Sequence, residues 1–207
     1  MKHIFNVALT FDDGYVDHAP VARVLHELEI RATFFLITGL KQLKGRPLLT
    51  SHPELIREMS EMGHEIGSHT LSHPNLLNTT DNQLEEELRE SKSYLQALLG
   101  HEILGLAYPY GKFDERVKNA AARHYKYARK DHRHGGRDRY EVGVQCGYRG
   151  LGVCSLWTTL SMLTGGSGAT LLFHSISTIP VRVWCRYLKA IGAHFVTLSE
   201  LVDIEYP

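Results

Sequence analysis

The feature that most constrains this chain is an alternation of two periodicities along its length. Short apolar runs rich in β-branched and aromatic residues, beginning with Ile4 to Thr10 and Ala32 to Ile37, read as strands buried on both faces. Between them Pro20 suits the first turn of a helix, and Val21, Val24, Leu25 and Leu28 recur on one face. Ser51 with Glu54 predicts a capping box that opens a second helix, striped by Leu55, Ile56, Met59 and Met62, with Gly63 just past its end. His64 to Ser68 is the next strand. Thr80 with Gln83 opens a long helix whose Leu84, Leu88, Leu95 and Leu99 share a face, and Gly100 marks its stop. The pattern continues with a strand from Leu104 to Ala107, a helix from Asp114 to His124 and a strand from Tyr125 to Arg129. After it come a strand from Thr170 to Phe173, a helix over Val181 to Ile191 and a strand from Ala193 to Thr197. Strands alternating with helices imply parallel βα units, hence an α/β fold. Only Lys130 to Gly168 gives no clean period.

At 207 residues the chain suits one domain spanning 1–207 with a single sizeable core. Its 23 basic residues balance its 23 acidic ones, so no overall basic field draws it to phosphate backbones, and nucleic acid is not an expected partner. Cys146, Cys154 and Cys185 are odd in number and lack paired spacing, which fits free thiols in a reducing compartment. Met1-Lys2-His3 runs straight into a strand, leaving no room for a leader, and the expectation is a cytoplasmic protein. Leu151 to Phe173 carries no charge, yet Gly165, Gly166 and Gly168 interrupt it, so it reads as buried core plus loop and not as a membrane span.

In parallel βα folds, chemistry gathers on the loops that leave the carboxyl ends of strands. Thr10-Phe11-Asp12-Asp13-Gly14 ends the first strand with two adjacent carboxylates, whose side chains diverge there: one is free to ligate a cation and the other to accept a proton. A plain Asp-Asp-Gly turn with solvated acids is the alternative. His69 and His73 follow the His64 to Ser68 strand directly. In a single helical turn residues four apart have Cβ atoms about 5–6 Å apart, close enough for two imidazoles to share one metal; Pro74 ends the turn. Asp13, His69 and His73 would supply three ligands and leave a position open, as catalytic zinc sites do. Tyr108-Pro109-Tyr110-Gly111 leaves another strand, where a fixed backbone N–H can face an oxyanion, and His174 ends a further strand where an acid is useful. Taken alone, each of these last two segments also reads as an ordinary turn or a structural histidine.

In order, Thr-Phe-Asp-Asp-Gly at 10–14, His-Thr-x-x-His-Pro at 69–74, Tyr-Pro-Tyr-Gly at 108–111 and Leu-Phe-His at 172–174 resemble the polysaccharide deacetylase family, the NodB-homology esterases of carbohydrate esterase family 4. The resemblance extends over nearly the whole chain. It implies a distorted (β/α)7 barrel, with Asp12 as general base, Asp13, His69 and His73 as ligands of a divalent metal, most often zinc, the Tyr110 N–H as oxyanion donor and His174 as general acid. Tyr108, Pro109, Leu172 and Arg129 are candidate substrate contacts. The implied activity removes an N- or O-acetyl group from an amino sugar or glycan. The chain departs from the family pattern at Ala107, where an arginine that orients the base is common; Arg129, ending its strand at the same face, is placed to substitute. No segment matches the one that tunes the acidic histidine, for which Asp131 and Asp138 are candidates within a tract rich in His132, Arg133, His134, Arg137 and Arg139, which otherwise reads as a solvated loop. Two other readings keep the scaffold: hydrolysis of another C–N bond, in a cyclic ureide, imide or formamide, and a carbohydrate-binding barrel without catalysis. Oligomeric state leaves no trace in the sequence.

Overall fold

The computed structural model describes residues 5–131, 138–144, 146–147, 158–159, 168–174 and 177–207. The expected alternation is present: β1 (Phe5–Phe11), α1 (His18–Glu27), β2 (Thr33–Leu36), a small hairpin of β3 (Gln42–Leu43) and β4 (Arg46–Pro47), α2 (Pro53–Glu61), β5 (Glu65–Ser68), α3 (Asp81–Leu99), β6 (Gly105–Ala107), α4 (Glu115–His124), β7 (Tyr127–Arg129), β8 (Cys146–Gly147), β9 (Gly168–Phe173), α5 (Thr178–Ala190), β10 (Ala193–Val196) and α6 (Leu198–Glu205). The principal sheet runs in the order β7-β6-β5-β2-β1-β9-β8, its pairings all parallel. It curls into the incomplete, distorted barrel expected, and a parallel bridge from Arg129 to Val142 extends its β7 edge.

β1 has three neighbours. β9 follows one edge from Asn6 to Phe11, while the other edge is divided: β10 takes Phe5 to Ala8 and β2 takes Thr10 and Phe11. Every residue of β1 is buried, because alternate side chains enter two different cores. Val7, Leu9 and Phe11 face the helix layer, packing in one cluster with Leu25, Ile56, Leu88 and Leu188. Ala8 joins Phe35, Ala107, Tyr127 and Val196 inside the barrel, together with Leu198, Leu201 and Val202 of α6. The first residues of α6 donate backbone N–H groups to Thr33 and Glu65, which begin β2 and β5. That helix therefore plugs the amino-terminal end of the barrel and leaves the carboxyl end open.

Several boundaries differ from the sequence expectation. Thr80 and Gln83 form the expected reciprocal cap of α3, and Gly100 closes the helix in the left-handed conformation at φ 76°. The cap at Ser51 and Glu54 does not form. Leu49–Ser51 is a 3₁₀ turn, the Ser51 hydroxyl donates to the Lys41 carbonyl at 3.1 Å, and Pro53, preset at the proline-tolerant first position, starts α2. α5 begins at Thr178, ahead of the expected Val181. Thr197, expected at a strand end, instead caps α6 through a box with Glu200. Cys185 is buried, its thiol pushed up to about 12 by that burial. Among the described residues no helix is long and apolar enough to cross a membrane. The side chains of Cys146, Cys154, His132, Arg133, His134 and Arg137 lie outside the described residues.

Candidate active site

Each sequence-nominated group leaves a strand's carboxyl end, so the parallel sheet brings them to one rim. Alternation along β1 puts Ala8, Thr10 and Asp12 on the barrel's interior side; the same parity puts Leu172 and His174 inside from β9, and Tyr127 and Arg129 inside from β7. Asp13 leaves this pattern. It turns into the left-handed region at φ 71°, followed by Gly14 at φ 75°. A side chain at Gly14 would also press to 2.8 Å from Leu36, so a glycine suits both demands.

The turn aims Asp13 at the two histidines. Its Oδ1 lies 3.6 Å from His69 Nε2 and 3.7 Å from His73 Nε2, and the ligand atoms all fall within 4.8 Å of one another. Donors on a tetrahedral cation with bonds of about 2.0–2.1 Å stand roughly 3.4 Å apart. His69 Nδ1–H donates to the Ala107 carbonyl at 2.8 Å, which fixes its tautomer and leaves the Nε2 lone pair facing Asp13. Burial and the neighbouring His69 push His73 down to about 4 against the opposing pull of Asp13 and Asp12, so at neutral pH it is an uncharged imidazole, the form that ligates metals. One carboxylate and two imidazoles, the tautomer of His69 set from behind, fit a divalent cation. The histidines do not converge through a helical turn, as their spacing implied. The loop is irregular, with Thr70 at φ 69° and His73 at φ 60°.

Asp12 is 3% exposed, and one nitrogen of Arg129 stands 2.5 Å from each of its oxygens. Burial alone would raise the Asp12 pKa, but the charges of Arg129, His69 and His174 and the Arg129 hydrogen bond hold it below the usual carboxylate value. Arg129 is cross-strand neighbour to Ala107. Parallel partners point to the same face, so the small side chain at Ala107 leaves room for a guanidinium arriving from one strand away. His174 presents its carbonyl to His18 Nε2–H at 3.1 Å, and burial lowers its imidazole pKa although Asp12 and Asp13 pull it upward. Tyr110 adopts φ 59°; its ring is 53% exposed and lies 4.7 Å from that of His73 at the mouth of the site.

The expected substrate contacts divide. Tyr108 is turned away: its ring stacks on Phe113 at 4.7 Å in the helix-side core and its hydroxyl donates to the Tyr140 carbonyl, because the residue continues the outward parity of Leu106. Pro109 is buried in a 3₁₀ turn, and Leu172 has no exposed surface, which makes both of them wall beneath the site and not contact surface. Asp138 does not face His174. It pairs with Lys118 at 2.6 Å and accepts the Tyr140 N–H, anchoring α4. Asp131 packs against Gly111, with no room for a side chain there, and Arg139 bonds the Tyr206 carbonyl and Asp203 at the other end of the molecule.

Three supporting residues were not nominated from the sequence: Tyr15, whose hydroxyl hydrogen-bonds Asp13, His18 behind His174, and Glu87 behind the histidine loop. For Glu87 there was a signal, an acid at helical spacing with Leu84, Leu88, Ser91 and Leu95 on the buried side of α3.

An open parallel barrel whose rim joins a carboxylate and two histidines to a second, arginine-bound carboxylate defines a class of site able to hold a divalent cation. The chain belongs to the polysaccharide deacetylase family, whose model matches residues 3–128 and so takes in every group of this rim except Arg129 and His174. It is 31% identical over 112 residues to a peptidoglycan-N-acetylglucosamine deacetylase of Bacillus cereus (53% of this chain, 38% of the relative). It is 34% identical over 88 residues to a chitooligosaccharide deacetylase of Rhizobium leguminosarum (42% and 37%). The chain thus spans about two fifths of the length of such relatives. In fold it is similar to a family 4 carbohydrate esterase from Bacillus anthracis, with a TM-score of 0.71 at 26% identity, covering 98% of this chain and 84% of that one. It is similar also to a pseudoenzyme of the same esterase family from Bacillus anthracis, with a TM-score of 0.75 at 17% identity, covering 98% and 67%. Fold likeness alone therefore does not decide activity, which depends on the groups gathered at the site.

Proposed function

We propose that this protein hydrolyses an N-acetyl group of an amino sugar or glycan. The observation that carries this reading is the convergence of Asp13, His69 and His73 beside an Asp12 kept ionised by Arg129. A divalent cation, zinc by the chemistry of the nitrogen and oxygen donors, would be held by those three residues and supply Lewis acidity to an acyl oxygen and to water. Asp12 takes a proton from the attacking water as its oxygen joins the acyl carbon. The Tyr110 backbone N–H donates to the oxygen that gains charge. When the C–N bond breaks, the proton that Asp12 took from water passes through His174 to the departing nitrogen; burial keeps this imidazole neutral at rest and makes its protonated form a stronger acid than free histidine. The products are acetate and a free amine.

The test is acetate release from an N-acetylated chitooligosaccharide by wild type, by Asp12→Asn and by protein stripped with a chelator and reloaded with zinc. Turnover is expected in wild type and reloaded protein and at least about a hundredfold less in Asp12→Asn and in stripped protein, the scale of a lost acid-base group. Undiminished release after stripping, or in Asp12→Asn, contradicts the reading. Formate or a ring-opened product in place of acetate moves the substrate to another class of C–N bond.

A further inference from the structure

The loop from His69 to His73 brings two imidazoles to one point through backbone angles that residues with side chains rarely adopt. Thr70 at φ 69° is an outlier for a β-branched residue, and His73 sits at φ 60°. Such conformations are strained and persist only where the surroundings over-determine them. Part of that determination is internal: the His73 N–H donates to Thr70 Oγ1 at 3.1 Å and the Thr70 N–H to Ser68 Oγ at 3.1 Å. The rest arrives from α3. One oxygen of Glu87 accepts the N–H groups of Leu71 at 2.9 Å and Ser72 at 2.8 Å, and the other accepts the Ser72 hydroxyl. The two oxygens of a carboxylate suit three converging donors, and hydrogen bonds to a carboxylate are stronger than those to a neutral acceptor. Glu87 is itself buried at 9% exposure, and one turn further on Ser91 Oγ meets Ser68 Oγ at 2.8 Å. One helix therefore grips the residue just before the first histidine and two of the three residues between the pair.

We propose that Glu87 is a positioning residue of the metal centre, clamping Leu71 and Ser72 so that His69 and His73 are held ready for one divalent cation. The proposal rests on the reading of Asp13, His69 and His73 as ligands. Glu87 acts through the backbone between the histidines, and the quantity it sets is the affinity of the folded protein for the ion.

The experiment is equilibrium binding of Zn²⁺ to metal-free protein in competition with a chromophoric chelator, with the unfolding midpoint of each metal-free variant recorded alongside. Glu87→Ala and Glu87→Gln are expected to weaken Zn²⁺ binding by about 10- to 100-fold, the usual consequence of losing a ligand-orienting partner. Ser72→Ala, which deletes a single donor, is expected to weaken it less, and Glu86→Gln, on the exposed side of the same turn, to leave it unchanged. Should Glu87→Ala not fold, Glu87→Gln and Ser72→Ala carry the comparison. A lowered unfolding midpoint with Zn²⁺ affinity within about twofold of wild type in Glu87→Gln would show a purely structural carboxylate and overturn the proposal. Wild type that binds no Zn²⁺, or His73→Ala that binds as tightly as wild type, overturns the ligand reading and this inference with it. Where wild type binds and His73→Ala does not, the Glu87→Gln value alone decides.

Discussion

Asp12 and Arg129 are buried opposite charges, and each is tolerable only because of the other. Removing one member of such a pair costs about 3–5 kcal/mol, most of it from stranding the survivor. Arg129→Ala should therefore destabilise the protein by about that much in urea unfolding, and Asp12→Asn combined with Arg129→Met should recover most of the loss. The kinetic consequence has a definite sign. Arg129 holds the Asp12 pKa down, so its removal lets burial raise it, and the acid limb of kcat/KM moves to higher pH. A limb that stays in place while stability falls would separate the guanidinium from the base. At this scale the clustering of the three candidate ligands was legible because each lies in a short contiguous motif leaving a strand end. Arg129 was legible only as a position, since its contact with Asp12 crosses the sheet. Tyr15, His18 and Glu87 act from behind the groups they support, and a linear pattern carries no sign of which neighbour a side chain stands behind.

Among the elements α3 has two separable roles. Its amino-terminal box at Thr80 and Gln83 stabilises the helix, whereas Glu87 and Ser91 hold the histidine loop. Thr80→Ala should lower stability by about 0.5–2 kcal/mol in urea unfolding while leaving Zn²⁺ affinity unchanged; a matching loss of affinity would mean that the whole helix, not its clamp, orients the ligands. Element type and order were readable from periodicity because the two-sided burial of parallel strands produces unbroken apolar runs. Boundaries were less so. Ser51 had the right neighbour for a cap but also a nearby carbonyl at Lys41, and Pro53 set the helix start instead. The hairpin of β3 and β4 is too short to show a period, and α6 was obscured because its cap, Thr197, continues the apolar strand before it.

For the molecule as a whole, acid tolerance turns on a group remote from the rim. His64 is buried between α1 and the start of β2: the Ala32 N–H donates to its Nδ1 at 3.2 Å and its Nε2–H donates to the Ala22 carbonyl at 3.0 Å. That arrangement needs the neutral ring, and burial pushes its pKa from 6.5 to about 4. Between those values the unfolded chain binds the extra proton and the folded one does not, so the contribution is whole above pH 6.5 and is lost as pH falls toward about 4. The loss is on the order of 3 kcal/mol. Urea unfolding of wild type at pH 7 and pH 4.5 should show it, with His64→Gln displaying a smaller difference; equal differences would place the sensitivity elsewhere. The parallel α/β class was legible in the alternation of strand and helix, whereas the barrel came only from the resemblance to the family. The seam was not, because which strands share an edge depends on pairings made far along the chain.

That seam bears on the order of assembly. The strand presenting Asp12 and Asp13 leaves the ribosome well before the partners that flank it, residues 168–173 on one side and, for half its length on the other, 193–196. Loop closure over such distances is slow and entropically opposed. The paired acids are thus synthesised well before the strands that flank them, so a growing chain carries these two side chains long before it can hold them in register.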